Sequence, residues 1–238
     1  QFLILCSFMK TSAVIKPSTF NFLKNLAKHN NREWFNANKQ EYVLAKENAE
    51  LFVDALIQKM NVHDQIETPT GRKSLYRIYN DVRFSEDKTP YNPRFAGYMR
   101  RVKPMNRGGY YFWIKPGGTR IGCGFGHPNS EDLLRIRKDI DYNHADWLKL
   151  IRSKPIQRTF GAMKGEQVKT APRGFPKDHE AIELLRYKQY WFECAFTDKE
   201  VLAPDFLNKM DKTYKVIRPF FDYMSEVLTT DTNGELII

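Results

Sequence analysis

Residues 95–123 read FAGYMRRVKPMNRGGYYFWIKPGGTRIGC, and they constrain how the rest of the chain can pack. Short apolar and aromatic runs alternate with turn residues, which is typical of β-strands. Gly108-Gly109 and Pro116-Gly117-Gly118 supply the turns. Because connections this short cannot hold the crossover helix that parallel neighbours need, we expect an antiparallel meander. The predicted strands are residues 74–78, 95–102, 110–115, 119–123 and, later in the chain, 190–197.

Helices are predicted on either side of this meander. Apolar residues from Phe35 to Met60 recur at steps of three, four and seven, the spacing of one buried stripe on a long helix. Ser130 can cap a second helix, and a C-terminal helix begins near Pro204 and must kink or split at Pro219. We therefore predict an α+β fold: a single domain with a curved, mainly antiparallel sheet packed against several helices, the N-terminal and C-terminal ones being long. A helical N-terminal subdomain up to about residue 62 is the alternative.

The predicted organisation is an N-terminal extension at 1–15, one domain at 16–230 and a tail at 231–238. Met9-Lys10 looks like the natural start, so the beginning of the extension is expected to be non-native or disordered. The longest apolar run, residues 2–6, is far shorter than the roughly 20 residues of a bilayer span, so no membrane partner is expected. Three widely spaced cysteines give no disulfide framework, which favours the cytoplasm.

The positive charge is concentrated in one region. The 238 residues carry 38 basic and 28 acidic side chains, a formal net charge of +10. Residues 71–120 hold twelve basic against three acidic side chains, a net charge of +9. Because the rest of the chain is nearly balanced, this region is the candidate contact for an anionic partner.

The densest group of reactive side chains is RIYNDVRFSEDKTPY at residues 77–91. If residues 79–84 are extended, alternate side chains share one face, where two guanidinium groups flank a carboxylate and a phenol. Such a group can clamp an anion, because the planar guanidinium pairs bidentately with phosphate or carboxylate. The alternative is that Asp81 forms a structural ion pair with an arginine. The predicted ligand-binding residues are Arg77, Tyr79, Asp81, Arg83, Lys88 and Tyr91; no catalytic residue is assigned.

Metal-dependent phosphoester hydrolysis is an alternative function. Asp81 followed by Glu86-Asp87-Lys88 has the residue order of some metal-dependent nucleases, with His127 as a further candidate. The spacing runs into a Thr-Pro turn, so a charged turn is the competing interpretation. No HExxH, GxGxxG or GxxxxGK[ST] motif is present, and we predict no cofactor and no metal-ligand set.

Two further patterns allow two interpretations each. Gly122, Gly124 and Gly126 precede a predicted helix and could expose amides to a phosphate, but alternating glycines more often mark a bulge or close packing. Basic and aromatic residues also interleave across the strands, as in a nucleic-acid platform or in a sheet with one packed and one wet face. This second set comprises Arg94, Tyr98, Arg100, Arg101, Lys103, Arg107, Tyr110, Tyr111, Trp113, Lys115 and Arg120.

The chain resembles a bacterial family, the domain of unknown function 2461, over roughly residues 16–228. The resemblance implies an α+β single-domain protein with no catalytic assignment to carry over. The chain departs from the family pattern at Phe125-Gly126-His127, where the family usually has a Trp-containing stretch, so no role for His127 is implied. The matching residues are Phe22-Leu23, Asn30-Asn31-Arg32-Glu33-Trp34-Phe35, Arg77-x-Tyr-x-Asp81-Val-Arg83-Phe84-Ser85-x-Asp87-Lys88-Thr89-Pro90-Tyr91, Tyr110-Tyr111, Pro116-Gly117-Gly118, the stretch 122–128 and Pro172-Arg173-Gly174-Phe175.

Taken together, the sequence predicts a cytoplasmic protein that binds an anionic, phosphate-bearing ligand in a basic, aromatic-lined pocket or groove. An anionic small molecule is the first candidate partner. Nucleic acid, bound without catalysis, is the second. The sequence assigns neither a reaction nor an oligomeric state.

Overall fold

The computed structural model describes residues 13–231 and 233–237. The first twelve positions of the extension predicted at 1–15, including Cys6, lie outside the described residues. Four strands form one sheet: β1 Phe95–Arg100, β2 Gly109–Ile114, β3 Thr119–Phe125 and β4 Tyr190–Phe196. The helices are α1 Pro17–Lys28, α2 Arg32–Ala37, α3 Lys39–Met60, α4 Gly71–Ser74, α5 Ser130–Ile151, α6 Lys154–Phe160, α7 Ile182–Leu185, α8 Asp198–Val201, α9 Phe206–Val216 and α10 Arg218–Thr229.

The sheet is an antiparallel meander in the order β1-β2-β3-β4. Its register sets Tyr98 opposite Tyr111, Tyr111 opposite Gly122, and Gly122 opposite Glu193. Because side chains alternate between the two faces of a strand, this register assigns every strand residue to one face. The α+β single-domain prediction is confirmed.

One face of the sheet is packed against helices through aromatic contacts. Tyr110 on β2 lies 5.0 Å from the ring of Phe221 on α10, and Phe192 on β4 lies 5.2 Å from Phe220. Phe196 contacts Phe206 of α9 at 5.3 Å between ring centroids. These residues belong to one hydrophobic core that also includes the N-terminal helices, so residues before 62 do not form a core of their own.

Several boundaries differ from the prediction. Residues 74–78 are not a strand: α4 ends at Ser74, and Leu75 forms only an isolated bridge with Gly97 at the edge of β1. The cap of α5 is Asn129 rather than Ser130, since the Asn129 side chain accepts a hydrogen bond from the backbone of Asp132. The predicted split near Pro219 is confirmed, because α9 ends at Val216 and α10 starts at Arg218.

Two other predicted helices have different bounds. The stripe from Phe35 to Met60 is divided between α2 and α3, which Asn38 separates. The helix predicted to start at Ser130 continues through a kink at Asn143 as far as Ile151. In the part of the chain that the structure describes, no helix has the length and hydropathy needed to cross a lipid bilayer.

Candidate functional site

Residues 77–91 form a surface loop, referred to below as the 77–91 loop. Tyr79 and Tyr91 pair at its base as an isolated antiparallel bridge, and Asn80 donates its backbone N–H to the carbonyl of Pro90 at 2.9 Å. Phe84, within the loop, is 95% exposed. The condition that residues 79–84 form one extended segment is not met, because only Tyr79 pairs as a bridge and the chain bends at Arg83 and Phe84.

The two tyrosines of this loop have different environments. Tyr91 is buried and stacks on Phe35 of α2 with 4.0 Å between ring centroids. The side chain of Asn30 donates to the carbonyl of Tyr91 at 2.8 Å and accepts from its N–H at 3.1 Å. Tyr79 is partly exposed and packs its ring 5.8 Å from Phe35. Tyr91 thus anchors the loop to α2 and is shielded from solvent, whereas Tyr79 is accessible.

Asp81 and Arg83 face each other within the loop. The Nε of Arg83 donates to Oδ1 of Asp81 at 2.9 Å, and its second terminal nitrogen donates to Oδ2 at 2.7 Å. The hydrogen bonds from Arg83 lower the pKa of Asp81, and the nearby charge of Arg77 lowers it further. The structural ion pair that was the alternative interpretation is thus present. This ion pair occupies the guanidinium nitrogens of Arg83 that would have to bind an anion in a clamp.

Lys88 and Asp87 of the loop also have partners, whereas Arg77 is exposed. Lys88 donates its Nζ to the carbonyl of Val82 at 3.0 Å, and Asp87 accepts from the backbone N–H and the hydroxyl of Thr89. These contacts are those of a charged turn. Within residues 13–231 and 233–237, no group of three or more His, Cys, Asp or Glu side chains is arranged to hold a metal ion, so the residues named for metal-assisted hydrolysis do not form one.

The opposite face of the sheet, which we call the open face, carries the aromatic residues that the helices leave uncovered. Tyr98, Tyr111, Trp113 and Trp191 are each half-buried and touch one another. The ring centroids of Tyr98 and Tyr111 are 4.3 Å apart, and those of Tyr111 and Trp191 are 4.9 Å apart. Trp191, on the last strand, thereby joins residues that lie about 80 positions earlier in the chain.

Glycines leave room for two of these rings above the sheet. A Cβ atom at Gly109 would meet the Tyr98 ring at 2.2 Å, and one at Gly122 would meet the Trp191 ring at 2.0 Å. Gly124 has a φ of +142° and lies against the backbone of Tyr190. Close packing thus explains Gly122 and Gly124, as the second interpretation predicted, whereas a Cβ atom at Gly126 would meet nothing within 4 Å. His127 is exposed, with Gln189 3.5 Å from its Nδ1.

Charged groups border the aromatic rings of the open face. The guanidinium carbon of Arg120 lies 5.0 Å from the centroid of the Trp113 ring, which fixes this cation over an aromatic surface. Arg100 is exposed at the end of β1. Burial would raise the pKa of Glu193, but hydrogen bonds from Lys164 and Trp191 lower it overall, so Glu193 is an anion paired with Lys164 at 3.0 Å.

A cavity of about 370 Å³, the edge pocket, adjoins the open face beside β1. It lies between two segments that pair with β1: Glu67 donates its N–H to the carbonyl of Arg100, and Tyr76 donates to that of Ala96. Burial raises the pKa of Tyr98 to about 12, and its hydroxyl donates to the carbonyl of Gly108 at 3.4 Å. The lining residues include Glu67, Thr68, Lys73, Tyr76, Tyr98 and Arg100.

Not every residue of the interleaved basic and aromatic set lies on this face. Arg101 is 0% exposed, and Tyr110 is buried in the core. Arg107 forms an ion pair with Asp132 of α5. Arg101 pairs with Asp64 at 2.9 Å and with Asp222 at 3.2 Å, so it holds the end of β1 against α10 and is removed from any nucleic-acid surface. Tyr98, Arg100, Tyr111, Trp113 and Arg120 do share the open face.

Lys73, Tyr76 and Trp191 were not among the predicted site residues. The alternation of aromatic residues in β4 placed Trp191 on a strand, but no local pattern indicates which strand lies next to it.

Comparison with known proteins gives one match. Residues 18–223 match a family described as conserved hypothetical protein (DUF2461). No curated protein and no solved structure matches the chain.

Proposed function

The chain belongs to the DUF2461 family of conserved hypothetical proteins, and we propose that this protein binds an anionic, phosphate-bearing ligand in a basic, aromatic-lined groove formed by the open face and the edge pocket. The observation that carries the proposal is the placement of Arg120 over Trp113, beside Tyr111 and Trp191 on a solvent-facing sheet surface. Flat rings offer stacking to a planar group, and guanidinium groups offer bidentate pairing to a phosphate.

The groove supports this function better than the 77–91 loop does. In the loop, the Arg83 fork is occupied by Asp81, Lys88 is bound to a backbone carbonyl, and Tyr91 is buried. In the groove, Arg100 is exposed and its side chain borders a cavity. The anion clamp formed by Arg77, Arg83 and Lys88 stays a prediction, and one experiment can distinguish the two locations.

The experiment is a titration of the protein with adenosine monophosphate, adenosine and inorganic phosphate, followed by tryptophan fluorescence. Trp113 and Trp191 lie on the open face, so a stacked base is expected to quench their emission. We expect adenosine monophosphate to bind more tightly than either part alone. Arg120→Ala is expected to weaken binding by roughly 10-fold or more, the loss of one charge-assisted hydrogen bond of about 1.5–3 kcal/mol.

Arg83→Ala is the discriminating variant. It is expected to leave the affinity for adenosine monophosphate unchanged, because its guanidinium lies in the 77–91 loop and pairs with Asp81. If Arg83→Ala abolishes binding while Arg120→Ala does not, the ligand site is the loop and the groove proposal is wrong. If no phosphate-bearing compound binds, the proposed function itself fails.

A further inference from the structure

The open face is larger than one nucleotide needs, and its cations are far apart. Arg100 pairs with Gly109 on β2, and Gly109 pairs with Gly124 on β3. Arg120 precedes Gly124 by four positions on β3. With about 4.8 Å between strands and about 3.4 Å per residue, the Cα atoms of the two arginines are about 17 Å apart.

The guanidinium of Arg120 lies over Trp113, so the two cations lie on either side of the aromatic rings rather than around one phosphate. One strand advances by at least about 3.4 Å per nucleotide, the axial rise in a duplex, so at most about five nucleotides cover the distance between the arginines. Between Arg100 and Arg120 lie the contiguous rings of Tyr98, Tyr111 and Trp113. Aromatic rings between two cations match a chain of alternating bases and phosphates.

From this separation we infer that the ligand of the groove is a single strand of nucleic acid lying diagonally across the open face from Arg100 to Arg120, with bases stacked on the rings between them. This inference rests on the proposed function and specifies its ligand class. Some RNA-binding domains also stack two or three bases on aromatic side chains of a four-stranded antiparallel sheet. Here the strands run in sequence order, so the similarity concerns surface chemistry alone.

Sequence selectivity is expected to be weak. The aromatic rings provide π-faces, which every base can stack on. Glu193 is paired with Lys164 and with the indole N–H of Trp191, so its acceptor oxygens are already engaged. A strand is therefore expected to be held through stacking and phosphate pairing rather than through the edges of particular bases.

The test measures affinity for oligonucleotides of one, two, four, six and ten nucleotides, as both RNA and DNA, with a ten-base-pair duplex and inorganic polyphosphate as comparisons. Affinity is expected to rise with length up to about five or six nucleotides and then level off. The duplex, whose bases are already stacked, and polyphosphate, which has none, are both expected to bind more weakly than the single strand of ten.

The ring of Trp191 extends this aromatic set from β4, 4.9 Å from Tyr111 and 6.3 Å from Trp113. Trp191→Ala is expected to weaken hexanucleotide binding by roughly 5- to 150-fold, the range for losing one base-aromatic stack. Tyr142→Ala removes a 90% exposed aromatic residue from α5, away from the open face, and is the matched control. Arg120→Ala provides a second variant should Trp191→Ala fail to fold, and the same weakening is expected.

The outcomes separate the two proposals. If adenosine monophosphate binds as tightly as the hexanucleotide, the ligand is a small molecule: the inference of a strand is overturned and the proposed function stands. Polyphosphate or duplex binding equal to that of the single strand would overturn base stacking. If no nucleotide of any length binds, both proposals fail.

Discussion

Arg100 and Arg101 are adjacent in the chain and have opposite environments. Arg100 is exposed on the open face, whereas Arg101 is fully buried with its guanidinium 4.9 Å from the ring of Phe221. Asp64, which is also buried, accepts hydrogen bonds from Arg101 and from the hydroxyl of Tyr110. Removing Arg101 is costly because it leaves the buried Asp64 carboxylate with one cationic partner, Arg218 at 3.1 Å.

We expect Arg101→Ala to lower the free energy of unfolding by about 3–5 kcal/mol, whereas Arg100→Ala changes it by no more than about 0.5 kcal/mol. Urea denaturation followed by circular dichroism measures both. The ligand titration is expected to give the reverse order, with Arg100→Ala weakening binding. An Arg101→Ala protein with an unchanged urea midpoint would show that the buried network contributes little to stability.

The burial of Arg101 could be read from the sequence in part. Phe95, Gly97 and Met99 precede it at intervals of two, so a strand that buries Phe95 and Met99 also directs Arg101 toward the core. The alternation of buried and exposed positions therefore separates Arg101 from the exposed cations of the interleaved basic and aromatic set. The identity of its partner was not predictable, because Asp64 lies 37 positions earlier and only the folded chain brings the two together.

At the scale of elements, α8 links the end of β4 to α9 through one carboxylate. Glu200 accepts a hydrogen bond from the backbone N–H of Thr197 at 2.7 Å, while the Thr197 side chain accepts from the N–H of Glu200, which is a capping box. Lys209 of α9 pairs with the same carboxylate. The hydrogen bonds from Lys209 and Thr197 lower the pKa of Glu200 to about 2.

Because the pKa of Glu200 is lower in the folded protein, this carboxylate stabilises the fold at neutral pH and ceases to do so in acid. The pKa of Glu200 is about 2 in the folded protein and roughly 4.3 in the unfolded chain, so its contribution is complete above roughly pH 4.3 and disappears as the pH falls through 2. Glu200→Gln is expected to lower stability at pH 6 and to match the unmodified protein near pH 2. Urea midpoints across this pH range measure the difference, and a difference that does not change with pH would contradict the prediction.

The elements that the sequence predicted correctly are those whose signal is local. Antiparallel pairing followed from the short turns, and the division of the C-terminal helix followed from Pro219. The strand predicted at 74–78 was wrong for a physical reason. Thr70 caps α4 by accepting a hydrogen bond from the N–H of Lys73, and the loop is closed by contacts with Asn30 about 60 positions away.

For the whole molecule, the net charge of +10 overstates the positive charge that an anion can reach at the surface. Arg101 is buried and Arg107 is paired with Asp132, while the Arg83 fork is held by Asp81. The cations that border the groove include Lys73 of α4, Arg100 of β1 and Arg120 of β3, and the last two share one surface because β1 and β3 flank β2 in the sheet. The sequence shows that these residues are basic, but it does not show how far apart they lie on the open face.

The three cations that border the groove predict the salt dependence of binding. For single strands the slope of log K against log salt concentration is about −0.7 per phosphate neutralised, so three contacts give a slope of about −2. Arg120→Ala is expected to reduce the slope by about 0.7, and Arg83→Ala is expected to leave it unchanged. A hexanucleotide titrated at four salt concentrations measures the slopes. If both variants reduced the slope equally, the strand would be responding to the overall charge of the protein. Direct contact with the groove predicts instead that the slope depends on Arg120 and not on Arg83.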